Sequence, residues 1–219
     1  MKSTGKENYL KTIYELTALR GEGLHSHELA DALNVSRPAI TDMLKKLIKE
    51  GLVEKKVKDG LRLTEKGERS AVTMLRKHRL WETFLIKVLN LSWEEVHDEA
   101  EHLEHSASDY LINKIDEYLG FPKFDPHGSP IPQKNGKIFR SKDLIKLTDA
   151  AIGGIYIIAE VSDKSRELLD ILNKMGLSLN SAIEVKSKVG FDGSMIIGFN
   201  GKEIMLTSKI QGSILALKK

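Results

Sequence analysis

Four of the five prolines in this 219-residue chain, at positions 122, 126, 130 and 132, fall within Phe121–Pro132. Proline fixes φ and removes a backbone donor, so neither a helix nor an interior strand runs through this stretch. It reads as an extended linker or an ordered crossing segment. Before it, apolar residues recur mostly at helical spacing; after it, mostly at strand spacing. The length exceeds that of one common domain and favours two or three small ones. The expected class is α+β.

The first seventy residues have the order of a winged helix-turn-helix. Tyr9, Leu10, Ile13, Leu16 and Leu19 form one helical stripe. Ser26 suits the cap of a second helix, with Leu29, Ala30 and Leu33 inward. After the turn Asn34-Val35-Ser36, Ser36 caps a third helix with Pro38 in its first turn. Ile40, Met43, Leu44, Leu47 and Ile48 make its buried side and Gly51 ends it. Strands over Leu52–Val57 and Leu61–Leu63, joined at Asp59-Gly60, form the wing.

Charge is segregated along the chain. The total of +3 hides a basic block from Arg37 to Lys66, with nine Lys/Arg against five Asp/Glu. It also hides an acidic block from Glu82 to Gly120, with ten Asp/Glu against two lysines. The basic block suits double-stranded DNA. Ser36, Arg37, Pro38, Ala39, Thr41, Lys45, Lys46 and Lys49 on the third helix are the candidate groove-facing set, and Lys56, Lys58 and Arg62 on the wing are placed for phosphates.

The acidic block carries a metal constellation. Thr64 opens a long helix to Asn90, with Val72, Leu75, Leu80, Phe84, Leu85, Val88 and Leu89 on one side. Ser92-Trp93-Glu94-Glu95 reads as a capping box for a helix ending near Gly120. On that helix His97, Glu101, Glu104 and His105 share a face, and on the preceding helix His78 and Glu82 are an i,i+4 pair. Imidazoles and carboxylates on neighbouring helices suit a divalent transition metal. The chain has no cysteine, which excludes disulfides, thiolate metal sites and a cysteine nucleophile. No segment reads as a signal peptide or membrane helix, so a cytoplasmic protein with no membrane partner is expected.

Residues 7–139 resemble the metal-dependent repressors of the diphtheria toxin repressor / manganese transport regulator family. The matching stretches include Tyr9–Glu15, Ser36-Arg37-Pro38, Leu61–Gly67, Lys77–Glu82, Val96–His105 and Asp125–Pro132. The resemblance implies a homodimer with two metals per subunit that binds a palindromic operator. It implies an effector site of Asn8, Glu101, Glu104 and His105, and an ancillary site of His78, Glu82 and His97. Glu7 is a substitute for Asn8, where the family usually has aspartate or methionine. Some members also place Asp125 and His127 against the ancillary metal, with an acidic tail residue such as Glu160 or Asp163. Iron-type members have cysteine where this chain has Glu101, which favours manganese over iron(II).

The tail shows strands at Ile155–Val161, Ile183–Val189, Met195–Phe199, Glu203–Leu206 and Ile214–Leu217, a helix from Lys164 to Met175, and a hairpin at Asn200-Gly201. It resembles the SH3-like domain of longer family members, similar to the ferrous iron transport A domain. The expected domains are a winged helix-turn-helix at 1–70, a helical metal-binding and dimerisation domain with its proline-rich linker at 71–139, and an SH3-like β-barrel at 140–219. No catalytic residues are picked out, and the expected function is metal-dependent repression of metal homeostasis genes rather than an enzyme activity. Two alternatives are a metal-dependent hydrolase with an appended winged helix and a winged-helix regulator sensing an organic ligand.

Overall fold

The computed structural model describes residues 4–18, 23–56 and 60–219; Leu19, Lys58 and the Asp59 half of the expected wing turn lie outside them. The chain forms two compact units, one from residues 1–78, 102–113 and 132–137, the other from 79–101, 114–131 and 138–219.

In the first unit, helices α1 (Thr4–Ala18), α2 (Ser26–Leu33) and α3 (Arg37–Lys49) precede the antiparallel strands β1 (Val53–Lys56) and β2 (Gly60–Leu63). Leu10, Ile13, Leu29, Ile40, Leu47 and Leu61 are fully buried at their centre. Ser36 caps α3 by accepting from the Ala39 amide, and Gly51 takes the left-handed conformation (φ 68°) after it. Two expectations need correction. Ser26 lies inside α2; the cap position belongs to His25, whose amide donates to the Glu28 carboxylate at 2.9 Å. Ile48 is 42% exposed, because Ile40, Leu44 and Leu47 already complete the buried stripe and leave it on the rim.

Helix α4 (Glu65–Leu89) begins in this unit and continues into the second. Thr64 Oγ1 accepts from the Gly67 amide at 3.1 Å and donates to the Gly51 carbonyl at 2.7 Å. Leu89, expected inside, is 55% exposed at its end. The single helix expected from Ser92 to Gly120 is two helices, α5 (Val96–Glu104) and α6 (Asp109–Tyr118). The Ser92–Glu95 capping pair forms, but the helix starts only at Val96. The break falls at Ser106-Ala107-Ser108. There the buried Ala107 offers its carbonyl to Lys77 Nζ at 2.8 Å, and Ser108 Oγ accepts from the Leu111 amide at 3.2 Å. Ser108 thereby caps the start of α6, so the chain leaves α5 at Glu104 and restarts at Asp109.

The second unit contains one antiparallel sheet. Its strands are β3 (Leu144–Lys146), β4 (Ile155–Val161), β5 (Ala182–Lys188), β6 (Met195–Phe199), β7 (Lys202–Leu206) and β8 (Ile214–Lys218), paired in the order β3-β8-β4-β5-β6-β7. No ladder joins β3 to β7 among the described residues. Helix α7 (Arg166–Lys174) buries Leu168, Leu169 and Leu172, and the short α8 (Ser208–Gly212) buries Ile210. β3 and α8 were not expected from the sequence. The Asn200-Gly201 turn has both residues at positive φ (49° and 75°), as a tight hairpin requires.

Phe121–Pro132 is a folded crossing segment rather than a linker. Asp125 Oδ1 accepts from the amides of His127 (2.8 Å) and Ser129 (2.9 Å), and the Asp125 amide donates to the Ser129 carbonyl. The prolines set the extended arms of this turn, and the aspartate closes it. Gly128 makes the close approach possible. It has φ +86°, and a Cβ there would lie 2.0 Å from the Ala159 carbonyl oxygen of β4, while the neighbouring His127 carbonyl accepts from the Val161 amide at 2.9 Å. Gly153 has a similar φ (+78°) but open space around it. Gly128→Ala is expected to destabilise the protein by about 2 kcal/mol or more, lowering the melting temperature by about 4 °C or more. Gly153→Ala should cost clearly less, and parallel thermal melts compare the two.

Candidate metal centres and DNA-reading face

Two clusters of ionisable side chains are buried, one in each unit. The first is built around Glu104, at the end of α5 and 0% exposed. Lys11 Nζ, itself buried on α1, lies 2.9 Å from Glu104 Oε1 and 3.0 Å from Oε2. His78 Nδ1 lies 2.7 Å from Oε2. His105 follows directly; its Nε2 is 3.5 Å from Glu104 Oε1 and its Nδ1 is 2.7 Å from Glu7 Oε2 on α1. Asn8, beside Glu7, has its Oδ1 buried without a hydrogen-bond partner, and so does His105 Nε2. Burial pushes the Glu104 carboxyl up, but His78 and Lys11 outweigh it and hold the group below its ordinary value. Glu101 sits one turn earlier on α5 and is half-buried.

The second cluster contains Glu82 of α4 (0% exposed), Asp125 and His127 of the crossing segment, His97 of α5, and Asp163 just after β4. His97 Nδ1 is 3.5 Å from Glu82 Oε1 and 3.7 Å from Asp163 Oδ2, and His127 Nδ1 is 3.6 Å from Glu82 Oε1. Ligand atoms of Glu82, Asp125 and His127 lie within 4.8 Å of one another, as do those of Glu82, His97 and Asp163. His127 Nε2 donates to the Trp93 carbonyl at 3.2 Å, and the Trp93 ring stacks on the imidazole at a centroid distance of 5.4 Å. That contact fixes the ring and turns Nδ1 toward Glu82. Arg79 braces the cluster: its Nη1 donates to the Pro130 carbonyl at 2.6 Å, and its Nε is 3.5 Å from Asp125 Oδ2. Burial, then the Glu82 charge, pushes the Asp125 carboxyl up to about 7 despite Arg79. Burial alone would lower His127, but Glu82, Asp163 and Asp125 raise it to about 9.

These donor sets fit divalent ions. Both are oxygen and imidazole, both are enclosed, and Asn8 Oδ1, His105 Nε2, Asp125 Oδ2 and His127 Nδ1 are buried without a hydrogen bond. Glu104 and His105 come together with Glu7, and His78 contacts Glu104; Asn8, next to Glu7 on α1, has its side-chain oxygen buried. Of the two tail carboxylates considered, Asp163 reaches His97; Glu160 is instead engaged by Arg140 Nη2 (2.9 and 3.0 Å) and Ser129 Oγ. Lys11, Arg79 and Trp93 were missed by sequence reasoning. Lys11 was findable, since it stands three and four residues after Asn8 and Glu7 on the same helical face.

On α3, Ser36, Arg37, Pro38, Ala39, Thr41, Lys45, Lys46 and Lys49 are all exposed, as a groove-facing surface requires. Lys56 on the wing is exposed and pairs with Glu54 at 3.2 Å. Arg62 is half-buried and stands opposite Glu54 across the β1–β2 ladder, a more structural position than a free phosphate contact. Lys58 lies outside the described residues. No helix among the described residues is long and apolar enough to cross a membrane.

Comparison with known proteins agrees with this anatomy. Residues 1–61 match the family described as iron dependent repressor, N-terminal DNA binding domain. Residues 64–133 match the iron dependent repressor, metal binding and dimerisation domain, and residues 145–216 match the FeoA domain. The iron-dependent repressor IdeR of Mycobacterium leprae is 28% identical over 212 residues, 90% of this chain and 89% of that protein. The diphtheria toxin repressor of Corynebacterium diphtheriae is 28% identical over 221 residues, 95% and 94% of the two chains. Among solved structures, the manganese regulator SloR superposes with a TM-score of 0.86 at 36% identity, covering 98% of both chains. ScaR with bound Zn2+ superposes at 0.88 and 38% identity, covering 98% of this chain and 99% of its own. With a DNA-binding head, a metal-binding and dimerisation segment and a FeoA domain in that order, the chain belongs to the diphtheria toxin repressor / manganese regulator family of metal-dependent transcriptional repressors, a family of DNA-binding regulators and not of enzymes.

Proposed function

We propose that this chain is a homodimeric cytoplasmic repressor, activated by manganese ahead of iron(II), that binds a palindromic operator and controls metal homeostasis genes. Its working parts are a reading head at 1–70, a metal-binding dimerisation core at 71–139 and a regulatory SH3-like barrel at 140–219. The observation that carries the reading is a pair of atoms buried without hydrogen bonds, Asn8 Oδ1 and His105 Nε2, the latter 3.5 Å from the buried Glu104 carboxylate. Such lone-pair atoms lose their hydration with no return until a donor or a cation joins them, and beside an ionised carboxylate a cation suits them best.

A bound divalent ion supplies positive charge and directional coordination that the chain's own side chains lack. Asn8, Glu101, Glu104 and His105 form the effector set, and Glu7 anchors His105 through Nδ1. Because Asn8 lies on α1 and Glu104 on α5, an ion held by both would add a tie between the reading head and the helical core. Such a tie would set the spacing of the two recognition helices in the dimer to suit two operator half-sites. Activation extends only as far as the DNA-competent arrangement binds the ion better than the loose one. The ancillary set is Glu82, His97, Asp125, His127 and Asp163, with His78 one turn before Glu82 on α4. Manganese is favoured because Glu101 makes the effector set free of sulfur, although raw affinity at such sites rises toward zinc and copper.

In the ancillary set His127 must release its proton before Nδ1 can bind an ion. Its pKa of about 9, and that of Asp125 near 7, make this a coupled step at neutral pH. Apparent affinity there is expected to rise as pH increases from 6 to 9, with about one to two protons released per ion near pH 7. Calorimetric Mn2+ titrations in buffers of different ionisation enthalpy measure that number; affinity that falls with pH would count against these ligands. For the effector set, gel retardation with a palindromic operator should require Mn2+ and vanish on adding a chelator. Glu101→Gln, which keeps shape and removes charge, should shift the Mn2+ requirement upward by about tenfold or more. Unchanged retardation under chelation would overturn metal activation itself.

A further inference from the structure

The effector cluster already contains a cation, and it belongs to the chain. Lys11 Nζ contacts both oxygens of Glu104, at 2.9 and 3.0 Å, and His78 Nδ1 takes a further position on Oε2 at 2.7 Å. The lysine side chain is 8% exposed and the glutamate 0%, so this pair is removed from water. A carboxylate offers about four lone-pair positions. Three hydrogen-bonding contacts on Glu104 leave little room for a metal ion, and an ammonium within a few ångströms of a divalent cation is repelled strongly where screening is poor. Lys11 also stands on the same face of α1 as Asn8 and Glu7, one turn further on.

From this geometry we infer that Lys11 is a built-in counter-cation that competes with the effector metal for Glu104. The inference rests on the metal-activated reading above and deepens it: metal sensing at this site is an exchange of one cation for another. Before exchange, α1 grips Glu104 through Lys11. After it, α1 grips through Asn8, with Glu7 holding His105, and the Lys11 ammonium has moved off the carboxylate. The affinity of the site is therefore the difference between two attractions to the same carboxylate. Lys11 sets the concentration at which metal wins and acts as a specificity-determining residue without being a ligand.

The exchange predicts the direction of two measurements. In calorimetric titration of the full chain with Mn2+ alone, Lys11→Met is expected to bind at the effector set at least about fivefold more tightly than the native chain, within the usual range of coupling. Lys11→Arg, which keeps the charge, should stay near the native value. Metal-free Lys11→Met should also melt at a lower temperature than the native chain, with the gap narrowing when Mn2+ is added. Because burying Glu104 without Lys11 could prevent folding, the native chain provides an independent measurement. Labelling of lysine amines followed by mass spectrometry should show Lys11 reacting slowly without metal and faster with saturating Mn2+, with exposed Lys45 as the unchanged reference. If Lys11→Met folds and binds Mn2+ with equal or weaker affinity, or if Lys11 labelling does not rise with Mn2+, the competition is refuted. If the native chain shows no saturable Mn2+ binding at all, it is the metal-activated reading that fails instead.

Discussion

A carboxylate with no exposure to water has to be answered by positive charge, and Glu104 organises the first unit around that requirement. Isolated in a low-dielectric interior, such a group would take up a proton or unfold its surroundings. Lys11 and His78 hold it ionised, as the downward displacement of its pKa reflects. Three elements are committed by that one charge: α1 through Lys11, α4 through His78, and the end of α5 through Glu104 itself. His105 and Glu7 extend the network by one more contact between α5's C-terminal end and α1. Breaking a buried pair by removing one partner typically costs several kcal/mol, whereas exchanging the partner for another cation need not. The arrangement is therefore rigid toward loss of charge and permissive toward replacement of charge.

The second unit solves the same problem with different chemistry. Glu82 and Asp125 are both buried, and the cations that answer them are Arg79 and the protonated form of His127. Arg79 is a permanent charge that also binds the Pro130 carbonyl, so it fixes the crossing segment as well as neutralising it. His127 is the adjustable member. Its orientation is locked by Trp93, which stacks on the ring and whose carbonyl accepts from Nε2, while Trp93 Nε1 donates to the Pro126 carbonyl at 3.1 Å. The proline-rich stretch thus serves to hold one imidazole in one orientation, and Gly128 lets it approach β4 closely enough to do so.

Local rules read well in this chain where one signal decided one outcome. Ser36 capping α3, Gly51 ending it, the Asn200-Gly201 turn and the alternation of β4 are of this kind. Glu104 and His105 are neighbours in the chain, so their grouping needed no tertiary contact to be read. What the sequence hid depended on tertiary partners. The break at Ser106-Ala107-Ser108 is stabilised by Lys77, thirty residues away. Ile48 and Leu89 carry the right periodicity but lie beyond the edge of what their helices bury. The role of Phe121–Pro132 turned on Asp125 closing the loop and on Gly128 meeting β4, neither of which proline content can show. Lys11 was obscured because lysine on an amphipathic helix is ordinarily a solvated residue, and only burial against Glu104 gives it another meaning.

The absence of cysteine takes on a different weight in this light. A thiolate would bind soft metals tightly whatever its neighbours did. Here every candidate ligand is an oxygen or an imidazole nitrogen, and in both clusters buried carboxylates already have protein cations beside them. Metal affinity at such a site is not the sum of ligand contacts; it is that sum less the attraction of Lys11, Arg79 or a proton for the same groups. A storage protein would gain from removing those competitors. A regulator gains from keeping them, because a site that fills only above a threshold concentration can report that the threshold has been crossed. The segregated charge of the chain fits the same logic. The basic block is exposed on α3 and the wing, where phosphates can reach it, while the key anions of the acidic block are turned inward and balanced, so that adding an ion rearranges internal contacts rather than merely decorating a surface.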